Sequence, residues 1–247
     1  MSESLLARMA SLPQSSSGPV SSPCTLLLLD LRDAQQVQEM ATSLCTDEER
    51  RRFSAMRPGP RATRTLCRAL VRQQLATMLG VHTRDIAIVE HDDSRPTLDL
   101  KHRDAGRRTL DFNVSHSADL GALAICERGR VGVDVERIKS RTNEMAIATA
   151  TLSSSEVTAL GALAGVDRAA RFAQFWCARE ATLKATGAGV WGGMSTTEIE
   201  RKLDAAGNGN VVLSDGQCGQ LWEPVLSQWP EYRAAVVWLA ATAFGAS

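Results

Sequence analysis

Hydrophobic residues in the first third of the chain follow patterns that predict one strand and then helices. The segment TLLLLDL (residues 25–31) is an apolar run with the length of a buried strand. Thr46 and Glu49 form a capping-box pattern, which predicts a short helix over residues 47–53. Residues 61–79 repeat apolar side chains at helical spacing, and a glycine follows where a C-terminal cap is expected. This region is therefore predicted as a strand, a short helix and a long helix.

The pattern then changes to alternation and to short apolar runs, which predict strands. Segments of this kind lie at residues 86–90, 110–117, 120–127 and 131–136. A second helical set follows, because Ser153 and Glu156 repeat the capping box and residues 168–186 form an amphipathic stretch closed by a glycine. Late strands are predicted at residues 211–213 and 233–241.

The same order of elements occurs in both halves, which indicates a degenerate duplication. Each half has a capped short helix and then a long helix that ends at a glycine. The sequence thus predicts an α+β architecture of two similar lobes, over residues 24–128 and 129–244, with the boundary near Gly129. Residues 1–23 are rich in Ser and Pro and are expected to form a flexible tail.

Composition restricts the partners and the location that we expect. The chain has 247 residues, and its 28 basic and 28 acidic side chains give no net charge, so no global field favours nucleic acid or an anionic membrane. The six cysteines lack the spacing of a zinc site, which indicates buried thiols in a reducing compartment. The sequence shows neither a signal-peptide pattern nor an apolar run of about 18 residues. We therefore expect a cytoplasmic protein that binds neither nucleic acid nor membrane.

The first long helix carries a stripe of arginines at three- and four-residue intervals. This spacing places Arg61, Arg64, Arg68 and Arg72 on one side of the helix. A solvated basic face would give the same pattern. An anion-binding surface is the alternative, because guanidinium groups bind phosphate and carboxylate oxygens in pairs. The segment alone leaves both interpretations open.

Two carboxylates alternate with valines in the segment GVDVE. Asp134 and Glu136 share one face of the predicted strand, roughly 7 Å apart, and could converge on one hard cation. A half-buried strand with a polar outer face is the simpler interpretation. The sequence around these residues does not decide between the two.

The second long helix places Phe172, Trp176, Glu180 and Lys184 at four-residue steps on one ridge. A surface ion pair between Glu180 and Lys184, worth about 0.3 kcal/mol, is one explanation. The alternative is that the ridge begins in the hydrophobic core, where the two aromatic residues are buried, and ends in a functional site. In that case Glu180 supplies a third carboxylate for an octahedral magnesium shell, and Lys184 supplies a charge for phosphate.

Three motifs in this order resemble the surfactin-synthetase-activating type of 4′-phosphopantetheinyl transferase. FNVSHS (residues 112–117), GVDVE (132–136) and FWCAREATLKATGAG (175–189) match the patterns F-N-x-S-H-S, G-x-D-x-E and W-x-x-K-E-A-x-x-K-x-x-G. Each motif is weak alone, whereas the three together are specific. The resemblance implies a pseudo-dimer of two lobes, active as a monomer, with the active site in the cleft between the lobes. It also implies transfer of the phosphopantetheine arm of coenzyme A to a serine of an apo acyl or peptidyl carrier protein, with release of adenosine 3′,5′-bisphosphate.

The resemblance also assigns roles to individual residues. It implies that Asp134, Glu136 and Glu180 bind Mg²⁺ and that Glu180 is also the general base for the serine hydroxyl. Contacts with coenzyme A are implied for Arg64, Arg95, Pro96, Ser115, His116, Arg179 and Lys184. Two of these depart from the family pattern, because Arg179 and Arg95 stand where the family has lysine. Arginine is a planar fork and lysine a point charge, so the phosphate geometry could differ.

Two other functions fit part of the pattern. Ser115, His116 and Asp134 have the residue types of a serine hydrolase, but neighbours on a strand project to opposite faces, which separates the base from the nucleophile. A non-catalytic module that binds coenzyme A or a carrier protein is the other possibility. The presence of all three carboxylates argues against it, because a pure binding module needs no base.

Overall fold

The computed structural model describes residues 24–32, 38–90, 95–99, 110–187, 202–203, 208–213 and 216–240. The predicted tail over residues 1–23, the end of the predicted second lobe and Ser94 lie outside these ranges. The helices are Gln38–Leu44 (α1), Asp47–Ser54 (α2), Pro58–Leu79 (α3), Glu144–Thr151 (α4), Ser154–Gly161 (α5) and Gly165–Thr186 (α6). The strands are Cys24–Asp30 (β1), Ile88–Val89 (β2), Thr97–Leu98 (β3), Asp111–Ser117 (β4), Leu120–Cys126 (β5), Arg130–Arg137 (β6), Lys202–Leu203 (β7), Asn208–Val212 (β8), Cys218–Trp222 (β9) and Tyr232–Leu239 (β10).

The strands form two larger antiparallel sheets, one from each half of the chain. The first has the order β1-β5-β4 and the second the order β6-β10-β9-β8-β7, while β2 and β3 pair as a short hairpin. Consecutive strands β5 and β6 belong to different sheets, and Gly129 lies in the turn between them at a φ of 90°. The predicted α+β class with two lobes is confirmed.

The helix boundaries follow the capping signals of the sequence. Thr46 with Glu49 and Ser153 with Glu156 both form the predicted capping boxes, which begin α2 and α5. Helix α3 begins at Pro58, three residues before the predicted start, because proline suits the first turn, where its missing N–H has no intrahelical partner. Both long helices end at glycines in the left-handed region, as predicted.

The strand predicted over residues 86–90 is wrong in extent. Only Ile88–Val89 pairs as a strand, because its partner β3 is also only two residues long. A 3₁₀ turn over Thr83–Asp85 precedes it. The imidazole Nδ1 of His82 caps this turn by accepting from the backbone N–H of Arg84 at 3.2 Å. The tight turn leaves Glu90 immediately after the strand, facing α2 and α3.

Helix α6 lies directly on the second sheet through small side chains. Ala178, Ala181 and Ala185 are fully buried against β8, β9 and β10. Strand β6 allows the closest approach at Gly132, where an added Cβ would stand 1.9 Å from the Ala181 carbonyl oxygen and 2.6 Å from the Ala185 nitrogen. This contact sets the distance between the strand and the helix that carries Glu180.

Side chains of β4 join the two sheets. The backbone N–H of Val131 donates to Asp111 Oδ2 at 2.8 Å, and that of Val133 donates to Asn113 Oδ1 at 3.0 Å. Strand β6 pairs with β10 along one edge, so these carboxylate and amide oxygens satisfy donors on its other edge. The register between β4 and β6 is thereby fixed without a backbone ladder.

Candidate active site

Asp134 and Glu136 lie on the face of β6 that α6 covers. Val133 and Val135 point to the opposite face and are fully buried, so the alternation predicted for GVDVE is confirmed. Asp134 is 4% exposed and Glu136 is half-buried. The interpretation of this strand as one with a solvated polar face is therefore wrong at Asp134.

Hydroxyl groups from β4 support both carboxylates. Ser115 Oγ donates to Asp134 Oδ1 at 2.8 Å, and Ser117 Oγ donates to Glu136 Oε2 at 2.9 Å. These serines continue the polar face of β4 that holds the edge of β6. The FNVSHS and GVDVE motifs are thus in direct contact through side chains.

Lys184 connects the helix to this pair of strands. Its Nζ donates to Asp134 Oδ1 at 2.7 Å, to Ser115 Oγ at 3.2 Å and to the Val133 carbonyl at 3.3 Å. The expected surface pair between Lys184 and Glu180 does not describe this lysine, whose carboxylate partner is Asp134. The three motifs converge at this ammonium group.

One oxygen of Asp134 has no good donor. Asp134 Oδ2 is buried and accepts no hydrogen bond of good geometry, while the neighbouring Cys177 thiol donates to the Arg233 carbonyl at 3.3 Å and also interacts with the Asp134 carboxylate. Burial, reinforced by the charges of Asp134 and Glu136, raises the pKa of the Cys177 thiol well above its usual range. A buried carboxylate oxygen without a good donor is costly, and a cation at this position would satisfy it.

Glu180 is buried close to the other two carboxylates. Burial and the charges of Asp134 and Glu136 raise its pKa to about 7, against the opposing effect of Lys184. The pKa of Glu136 is also raised, first by burial and then by Asp134, while its hydrogen bond from Ser117 opposes the shift. The three carboxylates therefore repel one another in the absence of a cation.

The carboxylates do not already form a closed metal shell. Within the described residues, no group of three His, Cys, Asp or Glu side chains is arranged closely enough to hold a metal ion. The unsatisfied Asp134 Oδ2 and the mutual repulsion nevertheless suit an oxygen-ligated cation such as Mg²⁺. The ligand roles of Asp134, Glu136 and Glu180 remain predictions.

A solvent-open cavity of about 480 Å³ adjoins the carboxylates on the side of the first lobe. Ser115 and Lys184 line it and also contact Asp134. The other lining residues include Arg52, Arg64, Glu90, Pro96 and His116. The cavity is cationic, with guanidinium groups at one end and an ammonium group beside the carboxylates.

His116 lines this cavity next to Ser115 but has a different environment. Although the residue stays partly exposed, its pKa is lowered, first by partial desolvation at the cavity wall and then by the positive charges of Arg64 and Lys184, against a smaller opposing effect of Asp134. Ser115 donates to Asp134, and no hydrogen bond joins it to His116 in the described structure. This geometry argues against the serine hydrolase alternative, which needs the imidazole on the serine hydroxyl.

The arginine stripe of α3 divides into different roles. Arg64 is half-exposed and lines the cavity. Arg68 also lines it but is buried, and both Arg68 and Arg72 pair with Glu49 at 2.8 Å. Arg61 donates to the carbonyls of Ser54 and Met56, both at 2.7 Å. A solvated basic face is therefore wrong for the two buried arginines, and the anion-surface interpretation fits best at Arg64, whose exposed guanidinium group lines the cavity.

Arg95 and Pro96 are neighbours in the chain, and of the two only Pro96 is among the residues that line the cavity. The Arg95 guanidinium donates to Asp111 Oδ2 at 2.8 Å, to the Phe112 carbonyl at 2.6 Å and to the Lys184 carbonyl at 2.9 Å. Arg95 therefore ties the segment before β3 to β4 and to α6. Its predicted contact with coenzyme A stays a prediction, and these bonds favour a supporting role.

Arg179 is 2% exposed and pairs with Glu156 Oε2 at 3.1 Å. The same Glu156 oxygen accepts from the backbone N–H of Ser153 in the capping box of α5. Arg179 thus connects α6 to the start of α5, and it is not among the residues that line the cavity. This contact favours a structural role over the predicted contact with coenzyme A.

Replacing Arg179 by lysine is expected to lower the free energy of unfolding by about 1–2 kcal/mol, because a buried hydrogen bond to Glu156 is weakened. The affinity for coenzyme A should remain unchanged. Urea unfolding and titration calorimetry measure the two effects. The matched variant is Arg64→Lys, which should do the reverse, with weaker binding and unchanged stability. If Arg179→Lys behaved like Arg64→Lys, Arg179 would be a phosphate contact.

Sequence reasoning did not find several residues that build the site. Glu49 was interpreted only as a helix cap, although it also pairs with two arginines of α3. Asp111 and Asn113 hold β6 in register, and the alternation of polar residues in DFNVSHS is the signal that could have revealed them. Glu90 gives no local signal, because its partners lie on other elements.

A cationic cavity lined mainly by the first lobe opens beside Asp134 of the second lobe, with Glu136 and Glu180 close to it, and this arrangement suits a class of protein that handles a phosphorylated substrate. Comparison with known families agrees with this class. Residues 33–128 match the model described as 4′-phosphopantetheinyl transferase, N-terminal, and residues 130–237 match that of the 4′-phosphopantetheinyl transferase superfamily. The two matches cover both halves of the chain. The protein therefore belongs to the 4′-phosphopantetheinyl transferase superfamily.

Individual relatives carry the same family name. A protein of Synechocystis sp., provisionally named a 4′-phosphopantetheinyl transferase, is 30% identical over 160 residues, which are 65% of this chain and 63% of the relative. The 4′-phosphopantetheinyl transferase HetI of Nostoc sp. is 28% identical, over 63% of this chain and 64% of the relative. The 4′-phosphopantetheinyl transferase AcpT of Salmonella typhimurium is 36% identical, over 44% of this chain and 52% of the relative. The matched region thus spans less than two thirds of each relative.

In the ranges that the structure describes, no helix is both long enough and apolar enough to cross a membrane.

Proposed function

We propose that this protein transfers the 4′-phosphopantetheine arm of coenzyme A to a serine of an apo acyl or peptidyl carrier protein, in the manner of the surfactin-synthetase-activating type. The observation that carries the proposal is the position of Lys184. Its ammonium group contacts Asp134 and lines the cavity that Arg64 also lines. A pyrophosphate at this point would lie between the cationic cavity and the carboxylates. We also propose that the protein acts as a monomer in the cytoplasm, on the basis of the family resemblance.

The reaction is an in-line displacement at the pyrophosphate of coenzyme A. The oxygen of the carrier serine forms a bond to the phosphorus next to the pantetheine arm, and the bond from that phosphorus to adenosine 3′,5′-bisphosphate breaks. Glu180 accepts the serine proton, because its carboxyl, whose pKa is about 7 in the metal-free protein, suits a general base near neutral pH. A bound cation would lower this pKa and keep the carboxylate ionised. Lys184 orients the pyrophosphate, while Arg64 binds the nucleotide end.

The residues around Asp134 fit a magnesium ion. Asp134, Glu136 and Glu180 would hold it, since Asp134 Oδ2 is buried without a good donor and the other two carboxylates have raised pKa values. When bound, Mg²⁺ supplies positive charge to the pyrophosphate oxygens as the leaving group develops. Ser115 and Ser117 hold Asp134 and Glu136 in place through their hydroxyl groups.

Mass spectrometry of carrier proteins tests the proposal. The protein is incubated with coenzyme A, Mg²⁺ and several apo carriers, and each carrier is expected to gain the mass of one phosphopantetheine group. Binding of coenzyme A without any mass gain on any carrier would favour the non-catalytic binding module. Absence of both binding and transfer would reject the proposal.

Magnesium is expected to stabilise the protein more at pH 8 than at pH 5.5. The pKa of Glu180 is higher in the folded protein than in the unfolded chain. Protonation of Glu180 therefore stabilises the fold, fully at a pH below the pKa of the unfolded chain, and this contribution is lost as the pH rises through about 7. At pH 8 the three carboxylates repel one another, and a cation at about 100 times its dissociation constant adds about 2.7 kcal/mol. The melting temperature should therefore rise by several degrees with Mg²⁺ at pH 8 and by much less at pH 5.5.

Glu136→Gln is the matched control for this measurement, because it removes one carboxylate and leaves the pair between Lys184 and Asp134 intact. Its metal-free melting temperature at pH 8 should be equal to or above that of the wild type, and the magnesium-induced rise should shrink. An equal magnesium effect in both proteins would exclude Glu136 from the cation site.

A further inference from the structure

A carboxylate from the first lobe occupies the cationic wall of the cavity. Glu90 Oε2 lies 2.5 Å from Arg68 Nη2 and 3.0 Å from Arg52 Nη1, and Glu90 Oε1 lies 3.8 Å from Arg64 Nη1. Of the described residues that line the cavity, Glu90 alone carries a carboxylate. An acidic side chain thus stands where a phosphorylated substrate is proposed to bind.

The three arginines around Glu90 differ in their other partners. Arg68 also donates to Glu49 Oε1 at 2.8 Å, and its side chain is only 9% exposed. Arg52 and Arg64 are 46% and 50% exposed, and Glu90 is the carboxylate that each contacts within the described part of the chain. Loss of Glu90 would therefore leave Arg68 with a counter-ion and free Arg52 and Arg64.

We propose that Glu90 is a built-in competitor of the substrate for Arg52 and Arg64. This inference rests on the proposed function and identifies a residue that sets the specificity of the same site. Carboxylate and phosphate oxygens bind guanidinium groups in the same fork geometry, but a phosphate monoester carries more charge than one carboxylate. A phosphate monoester can displace Glu90 from the two exposed arginines, while Glu90 keeps its contact with Arg68.

The consequence is discrimination by charge at this end of the cavity. A ligand with a phosphate monoester, such as coenzyme A with its 3′-phosphate, gains Arg52 and Arg64 and gives up only their pairing with Glu90. A ligand with a neutral hydroxyl at that position cannot displace Glu90. Glu90 thus lowers the affinity for the intended substrate, and in return it keeps Arg52 and Arg64 from binding other, more weakly charged anions.

Calorimetric titration without a carrier protein tests this inference. Wild type and Glu90→Gln are each titrated with coenzyme A and with 3′-dephospho-coenzyme A at low ionic strength. We expect Glu90→Gln to bind coenzyme A at least about fivefold more tightly, because the competing charge is gone. The affinity for 3′-dephospho-coenzyme A should change by less than about twofold, because that ligand brings no monoester to the two arginines. Glu231→Gln, an exposed substitution elsewhere, should change neither affinity.

Each other result has a distinct meaning. If wild type does not bind coenzyme A, the proposed function fails. If wild type binds and Glu90→Gln binds no more tightly, Glu90 orients the arginines and the competitor role is wrong. Equal tightening for both ligands would place the 3′-phosphate away from Arg52 and Arg64, which also overturns the inference. Glu90→Asp serves if the glutamine variant is unstable, because its shorter side chain withdraws from Arg64. It must then bind coenzyme A more tightly than wild type.

Discussion

Replacing Glu180 by glutamine is expected to lower the rate of phosphopantetheine transfer by about 10²–10⁴-fold, the usual contribution of a positioned general base. Glutamine keeps the size and the polar oxygen of the side chain but cannot accept the serine proton. The loss should appear in the rate of the chemical step measured under single-turnover conditions. Because Glu180 is also a predicted magnesium ligand, part of the loss would come from weaker cation binding.

Stability distinguishes this loss of chemistry from a loss of structure. The pKa of Glu180 is raised by burial and by neighbouring carboxylates, so at pH 8 its ionised form destabilises the metal-free protein. Glu180→Gln removes that charge and should melt at or above the wild-type temperature without Mg²⁺. Glu231→Gln, which lies on the surface, should transfer at the wild-type rate. Normal transfer by Glu180→Gln would remove the assignment of the base.

The regular elements could be predicted where local signals act alone. Capping boxes, terminal glycines and helical periodicity fixed α2, α3, α5 and α6 to within a few residues. Two short helices, α1 and α4, were not predicted, because each spans only about two turns, and α4 has no side-chain cap hydrogen bond in the structure. Strand β9 was also missed, because one of its two buried positions is a glycine, so the alternating burial leaves no alternation of apolar side chains in the sequence.

The candidate site could be predicted only in part, because it depends on contacts between distant segments. The alternation in GVDVE and the ridge of α6 placed Asp134, Glu136 and Glu180 correctly on facing surfaces. The partners of Arg179 and Arg95 could not be inferred, since each guanidinium is buried against a carboxylate far away in sequence. Lys184 on α6 likewise pairs with Asp134 on β6 rather than with Glu180 on its own helix. The spacing of residues along the sequence shows which side chains share a face of a helix or strand, but it does not show which residues of other elements that face contacts.

Gly132→Ala is expected to destabilise the protein by about 3 kcal/mol or more and to reduce transfer strongly. An added methyl group would stand 1.9 Å from the Ala181 carbonyl oxygen, which is backbone and cannot rotate away. Either the helix moves from β6 or the strand bends. In both cases Glu180 and Lys184 shift relative to Asp134, and a displacement of about 1 Å in a catalytic group can cost 10²-fold in rate.

The matched control is Gly161→Ala at the end of α5, where nothing lies within 4 Å of the added methyl group. This substitution should be neutral or stabilising by a few tenths of a kcal/mol, because it restricts the unfolded chain. Urea unfolding and transfer rates of the two variants separate a general glycine effect from the contact at Gly132. If Gly132→Ala were as stable and as active as Gly161→Ala, the close packing of α6 on β6 would not be what positions the site. The glycine of GVDVE would then be dispensable, and only its two carboxylates would matter.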